Sequence, residues 1–300
     1  MELFGILVLA LIWGASFLFI KIGVEAGMSP VLVAFVRVGL GAALLWFVVA
    51  ARVLFAPGSF RKPIPRERST WGKLGFVGLL NNTLPFVLIA WGEQRISSGL
   101  ASILNATMPL FTVLVAHFFT RDDRIGPLKA AGVLVGFAGA GLVILPGATD
   151  SMGGETSGSL AVVLASACYA CATVFVKKNL TGATDPIATG ASQLLMALAW
   201  LAPPTALTGA AVVLGELPAE AVLAVSALGL LGTGLAYLIY YMLIQRAKAS
   251  QLSLVTYLLP VTALGWGALV LGEEITWYAL AGLALIVAGI ALVNRANASQ

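Results

Sequence analysis

Apolar residues come in long unbroken runs, without the alternation of a half-buried strand. Ten runs stand at roughly residues 3–22, 31–51, 71–91, 98–119, 128–146, 158–177, 187–208, 219–243, 251–271 and 277–293. A hydrocarbon core about 30 Å thick is crossed by about 20 apolar helical residues. In lipid a helix satisfies its own backbone, which an open strand does not. The pattern predicts an all-α membrane protein with ten transmembrane helices. The connections are short. The longest, Arg52 to Thr70, is basic, and none is large enough for a soluble catalytic or receptor module.

Composition agrees with this pattern. Only 10% of the 300 residues are charged and 60% are hydrophobic, whereas soluble domains carry about 25% charged residues. The net charge of +4 comes from cations that flank the apolar runs and form no stripe, so it points to topology and excludes a nucleic-acid partner. With a cytoplasmic amino terminus, fourteen of the 17 Lys and Arg residues fall on the cytoplasmic side, including Arg52, Arg61, Lys62, Arg66, Arg68, Lys73, Arg121, Arg124, Lys129 and Lys248. Lys21 and Arg95 fall on the other side, and Arg37 lies inside the second run. Both termini are therefore expected in the cytoplasm. The first run has only Met1 and Glu2 ahead of it. It lacks the basic start of a signal peptide and reads as a retained helix. Cys168 and Cys171 sit in an apolar helix without His or carboxylate neighbours and read as small buried hydrophobes.

A weak internal repeat runs through the chain. At an offset of 151, Gln94-Arg95 matches Gln245-Arg246, Ser102 matches Ser253, Pro109 matches Pro260, and Asp122-Asp123 matches Glu273-Glu274. At an offset of 156, Trp13 matches Tyr169, Phe19 matches Phe175, Lys21 matches Lys177, and Pro30 matches Pro186. The order is that of a duplicated five-helix unit, residues 1–146 and 158–300 joined by a loop at 147–157. Five is odd, so the second copy enters from the opposite face, which is the inverted repeat of secondary transporters.

Pro109 and Pro260 fall mid-run at matched places, and Pro85 interrupts the third run. A buried proline frees a carbonyl four residues back, and freed carbonyls at membrane depth are tolerated only inside protein or along a cavity. The three prolines are candidate hinges. Around them lie polar and aromatic residues too deep for the interfaces. The candidate substrate-binding set is Trp13, Ser16, Phe17, Asn82, Phe86, Asn105, Met108, Tyr169, Tyr237, Tyr241, Ser253 and Tyr257. Such a wall suits a molecule with an apolar body and a polar handle.

Apart from Arg37, no charged residue is placed near the midplane, so a neutral or zwitterionic substrate is expected and an anionic sugar-phosphate is not. Arg37 is expected to snorkel or to pair with Glu25 or Glu93. No catalytic group, cofactor or metal is expected. Gly14-Ala15-Ser16 has only His117 as a possible base, and His117 is expected near the cytoplasmic end of its run while Ser16 falls in the outer half of the first.

The segments "LALIWGASFLFIKIGVEAGMSPVLVAFVRVGLGAALL", "SSGLASILNATMPLFTVLVAHFF" and "ASQLSLVTYLLPVTALGWGALVLGEEIT" resemble the EamA-type branch of the drug/metabolite transporter superfamily over essentially the whole chain. Trp-Gly-x-Ser-Phe, the two mid-helix prolines and the Gly-Glu after the ninth run carry most of the likeness. Arg121-Asp122-Asp123 departs from the usual Glu-Arg. The resemblance implies ten helices in two inverted halves. It also implies an exporter of small metabolites in a bacterial inner membrane, most similar to exporters of aromatic or other neutral amino acids. The expected partners are a small-molecule substrate and the bilayer, with the chain a monomer or weak dimer. An exporter of lipophilic drugs or of another metabolite class, or a membrane protein without transport activity, are the alternatives. With the carboxyl terminus cytoplasmic, a C-terminal green fluorescent protein fusion in a bacterial host should fluoresce and a C-terminal alkaline phosphatase fusion should be inactive. The reverse result would overturn the topology.

Overall fold

The structure is a computed structural model that describes residues 2–55, 65, 67–120, 124–149, 153–180, 185–208, 217–247 and 249–298. Arg61, Lys62, Arg66, Arg121, the Asp122-Asp123 couple, Lys248 and part of the 147–157 loop lie outside the described residues. The described chain is helical. We label its long segments α1 (Glu2–Glu25), α2 (Pro30–Phe55), α3 (Arg68–Glu93), α4 (Ser98–Phe119), α5 (Pro127–Ile144), α6 (Gly154–Asn179), α7 (Pro186–Leu207), α8 (Ala219–Arg246), α9 (Leu254–Leu271) and α10 (Trp277–Ala298). Among the described residues nine of these are long and apolar enough to cross a bilayer. The chain is a multi-pass membrane protein. The remaining long helix, α7, is diluted by Thr189, Ser192, Gln193 and the Pro203-Pro204 pair.

Helix starts follow local chemistry. Pro30, Pro127 and Pro186 open α2, α5 and α7, where the missing N–H has no partner to lose. Asp185 Oδ1 accepts from the backbone N–H of Ile187 at 3.0 Å and of Ala188 at 3.2 Å, capping α7. Large apolar side chains such as Phe47, Leu134, Leu207 and Leu269 are left exposed around the outside, as a lipid-facing surface requires.

Inside the bundle, small residues set the spacing. Helices in lipid gain no hydrophobic drive from meeting one another, so close packing has to hold them. Along the α5–α10 seam, a Cβ on Gly139 would lie 2.6 Å from the Gly282 carbonyl and one on Gly132 would lie 2.7 Å from that of Gly289. Gly132 faces Gly289 while Gly139 faces Gly282, so the two helices run antiparallel. Helices α1 and α8 also run antiparallel, with Gly5 against Leu243, Gly232 against Ser16 and Gly23 against Val225. So do α3 and α6, with the rings of Phe76 and Phe175 4.7 Å apart and Gly92 against Val162. Exchanging the halves turns the α1–α8 contact into the α6–α3 contact and the α1–α9 contact into the α6–α4 contact. It maps the α5–α10 and α2–α7 seams onto themselves.

The helix irregularities are only partly paired. Helix α3 widens to a π-turn at Leu79–Thr83, just before Pro85, and α8 does so at Leu228–Leu235. The 151 offset places the first inside the second. Helix α4 breaks at Ala106–Thr107, just ahead of Pro109. The freed Asn105 carbonyl accepts from Ser166 Oγ at 3.3 Å, and the Leu104 carbonyl from Thr107 Oγ1 at 2.6 Å. The expectation of a matching break at Pro260 is not met. Leu254–Trp266 is continuous helix with Pro260 inside it, and the irregularities in that copy flank it, at Ser253 and in a π-turn at Gly267–Leu271. At the α5–α10 seam, Gly289→Val should lower the detergent-solubilised thermal stability by about 1–3 kcal/mol. Gly141→Val, which meets nothing within 4 Å, should leave the melting temperature unchanged. Equal tolerance of both would refute close packing there.

Candidate functional site: a cavity between the two halves

A cavity of about 490 Å³ lies inside the bundle, with walls from α1, α2, α3, α4, α6, α7, α8 and α9. Ten of the twelve residues singled out from the sequence line it: Trp13, Ser16, Phe17, Phe86, Asn105, Met108, Tyr169, Tyr237, Tyr241 and Ser253. Asn82 stands just behind the wall, fully buried, and donates from Nδ2 to the Tyr237 hydroxyl at 2.9 Å. Tyr257 is turned toward α10, where its hydroxyl accepts from Asn294 Nδ2 at 2.8 Å. Of the candidate hinges, Pro85 follows the α3 π-turn, Pro109 follows the α4 break, and Pro260 lies within regular helix. The sequence reading missed Gln193, Thr173 and Leu252, all of which line the cavity.

Aromatic rings form one continuous wall. The ring centroids of Trp13 and Tyr240 lie 5.5 Å apart and those of Tyr240 and Tyr241 5.9 Å apart, both tilted, and Tyr241 meets Tyr237 edge to face at 6.0 Å. Polar groups are held in a pattern that repeats across the two halves. Arg37 Nε donates to Thr233 Oγ1 at 3.0 Å, and Gln193 Nε2 donates to Asn82 Oδ1 at 2.6 Å. Position 37 maps onto 193 at the 156 offset, and 82 maps onto 233 at the 151 offset. The second helix of each half thus bonds to the irregular third helix of the other.

Arg37 corrects an expectation. It neither snorkels nor pairs with Glu25 or Glu93. It is 8% exposed, its guanidinium carbon lies 3.7 Å from the centroid of the Phe86 ring, and it lines the cavity. The wall is therefore not uncharged. Glu25 instead pairs with Lys21 at 3.3 Å. Glu93, fully buried at the end of α3, makes no hydrogen bond through either carboxylate oxygen.

One end of the cavity is sealed. Lys21 Nζ donates to the backbone carbonyls of Glu93 at 2.8 Å and Ile96 at 3.1 Å, tying α1 to the α3–α4 turn. Gly272 ends α9 with φ +66, a left-handed turn that a residue with a Cβ adopts at a cost. That reversal aims Glu273 at the start of α4, where its carboxylate accepts from Ser98 N at 2.8 Å, Ser98 Oγ at 2.9 Å and Gly99 N at 3.1 Å. The carboxylate satisfies amide donors that the start of a helix leaves unpaired. Ile20 and Ile89 close the cavity beneath this clamp, both buried. In the other direction the lining reaches exposed Thr173 and half-buried Leu252 and Ser253. That end of the bundle also holds both chain termini, since Gly5 packs on Leu243 and Asn294 bonds Tyr257.

No hydrolytic pair forms. Ser16 Oγ donates to the Ile12 carbonyl, and His117 Nδ1 accepts from Ile125 N. Cys168 and Cys171 are free thiols, half-buried rather than fully enclosed.

The sequence profile of the EamA-like transporter family matches twice, over residues 1–145 and 156–295. The chain belongs to the EamA-like transporter family. Similar relatives include the uncharacterized transporter YoaV of Bacillus subtilis, 27% identical over 95% of this chain and 94% of that protein. The uncharacterized inner membrane transporter YedA of Escherichia coli K12 is 28% identical over 98% and 91%. A probable terminal-alkyne amino-acid exporter of Streptantibioticus cattleyicolor is 28% identical over 94% and 90%. A crystal structure of a protein 20% identical matches 97% of this chain and 96% of its own, with a TM-score of 0.63, which shows a shared fold. The EamA-like cavity is thus the meeting place of two copies of the family unit. Removing the clamp that seals it, by Glu273→Ala, should cost about 2 kcal/mol of thermal stability. In a background with Cys168→Ala and Cys171→Ala, a cysteine at Ile96 should then label several-fold faster with a water-soluble maleimide. Unchanged labelling would mean that Glu273 does not hold that end shut.

Proposed function

We propose that this EamA-like chain is a secondary transporter that exports small metabolites of the aromatic or other neutral amino-acid class, by alternating access through the central cavity. In this reading ten helices cross a bacterial inner membrane as two inverted five-helix halves. Both termini are cytoplasmic, and the unit is a monomer or weak dimer. The observation that carries the reading is a cavity between two related halves, closed at one end, walled by aromatic rings and small polar groups. Its volume lies within the range of small-molecule sites. The antiparallel α5–α10 seam and the exchange symmetry of the helix contacts support the inverted arrangement, because two interlocked copies can trade conformations and so move the opening from one face to the other. The distribution of Lys and Arg supports the orientation, and the relative named as a probable amino-acid exporter supports the substrate class.

Reconstitution in liposomes tests this. A gradient of labelled phenylalanine, tryptophan or leucine should collapse faster with the protein than without it, and an excess of the same unlabelled amino acid should compete. Efflux of lipophilic drugs with silence across the amino acids would replace the substrate class, and absence of any flux would reject transport. Pro109→Ala should restore the hydrogen bond missing at the α4 break and slow flux about tenfold, with folded yield nearly unchanged. A parallel loss of yield and flux would make Pro109 a packing residue only.

A further inference from the structure

The cavity holds one charge, and its donors are not all used. Among the described residues that form the wall, Arg37 is the only ionisable side chain other than tyrosine; none is acidic. Its Nε is occupied by Thr233, its face is covered by Phe86, and it makes no ion pair. Its terminal nitrogens are not among the buried atoms that lack a partner, so they open onto the cavity. Glu93 is buried behind the wall and does not reach it within ion-pair distance.

A guanidinium keeps its charge under all conditions, and its fork of N–H donors matches a carboxylate in two parallel hydrogen bonds. A charge at membrane depth is costly, and such residues face a partner or a cavity. The matched position in the other half shows what the fold alone needs there. Gln193, the equivalent of Arg37, makes the same cross-half hydrogen bond with a neutral amide. The bond between halves therefore does not require a cation, and beyond its contact with the Phe86 ring the guanidinium at 37 brings terminal donors that no protein group takes.

We propose that Arg37 is the carboxylate anchor of the cavity and that recognition is of a monocarboxylate with an apolar body. The α-amino group of an amino acid is carried without a charged partner. It meets only neutral polar groups of the wall, such as the hydroxyls of Tyr169 and Tyr237, and ring faces. Because one half offers Arg37 and the other Gln193, the substrate enters in one orientation, acid group toward α2. This inference rests on the transport reading above.

The test uses purified full-length protein, with binding followed by fluorescence quenching and transport by competition against labelled phenylalanine in liposomes. The probes share one ring: L-phenylalanine, 3-phenylpropionate, phenethylamine and phenylalaninamide. With the wild-type chain, 3-phenylpropionate should compete within a few-fold of phenylalanine, and the amine and the amide should compete poorly. Arg37→Gln, which copies the residue of the other half, should keep its melting temperature and gel-filtration profile. It should weaken binding of both acids by about 10–100-fold, the range of a charged hydrogen bond, while Arg37→Lys should recover part of the loss. Flux that persists while phenethylamine or the amide competes as well as the acids would overturn the anchor and leave transport standing. So would unchanged acid binding in a folded Arg37→Gln protein. If none of the four probes binds or moves, the amino-acid reading and the anchor fall together.

Discussion

Hydrocarbon offers no hydrogen-bond partner, and most of what distinguishes this bundle follows from that one constraint. At three places where the backbone leaves regular helix, a side chain meets the groups left open. At the break in α4 the Ser166 and Thr107 hydroxyls take the loose carbonyls. At the start of α4 the Glu273 carboxylate takes three donors. At the α3–α4 turn the Lys21 ammonium takes two carbonyls. Each of these groups comes from a different helix than the one it completes, α4 excepted for Thr107, so the irregular backbone and the packing of the bundle depend on each other.

The two halves share architecture and differ in chemistry. The bonds Arg37–Thr233 and Gln193–Asn82 occupy matched places, yet only one carries charge. The π-turns of α3 and α8 are matched, while the break at Pro109 has no counterpart at Pro260. In the proposed transport cycle the duplicated family unit supplies two interlocking halves that exchange roles. Divergence of side chains within it gives the cavity a direction, which a substrate with two unlike ends requires. The sealed end shows the same logic. Glu273 lies in the second half and Ser98 in the first, so the clamp is a bond between halves and opens only if they move relative to one another.

Much of the plan was legible in the sequence because the bilayer imposes simple rules. Long apolar runs have no other stable use, so a multi-pass helical membrane protein could be read directly, and nine of the described helices are long and apolar enough to cross a bilayer. Proline and deep polar or aromatic residues marked the cavity wall, since lipid excludes them, and ten of the twelve candidates line it. The two that do not, Asn82 and Tyr257, sit on the right helices at the right depth. Their direction depends on helix rotation, which periodicity does not resolve in a segment apolar all around.

What the sequence determined by itself was the class of protein, its repeated five-helix unit and the depth of its polar residues, because each is set by transfer between water and lipid along a single helix. The tertiary structure decided which helices meet and therefore what each deep polar group faces. Arg37 reads as a snorkelling or paired residue in the chain, and only the approach of Thr233 and Phe86 from helices distant in sequence turns it into the wall of a cavity. Contacts between helices rest on small-residue shape and backbone direction, which a one-dimensional pattern of polarity does not encode.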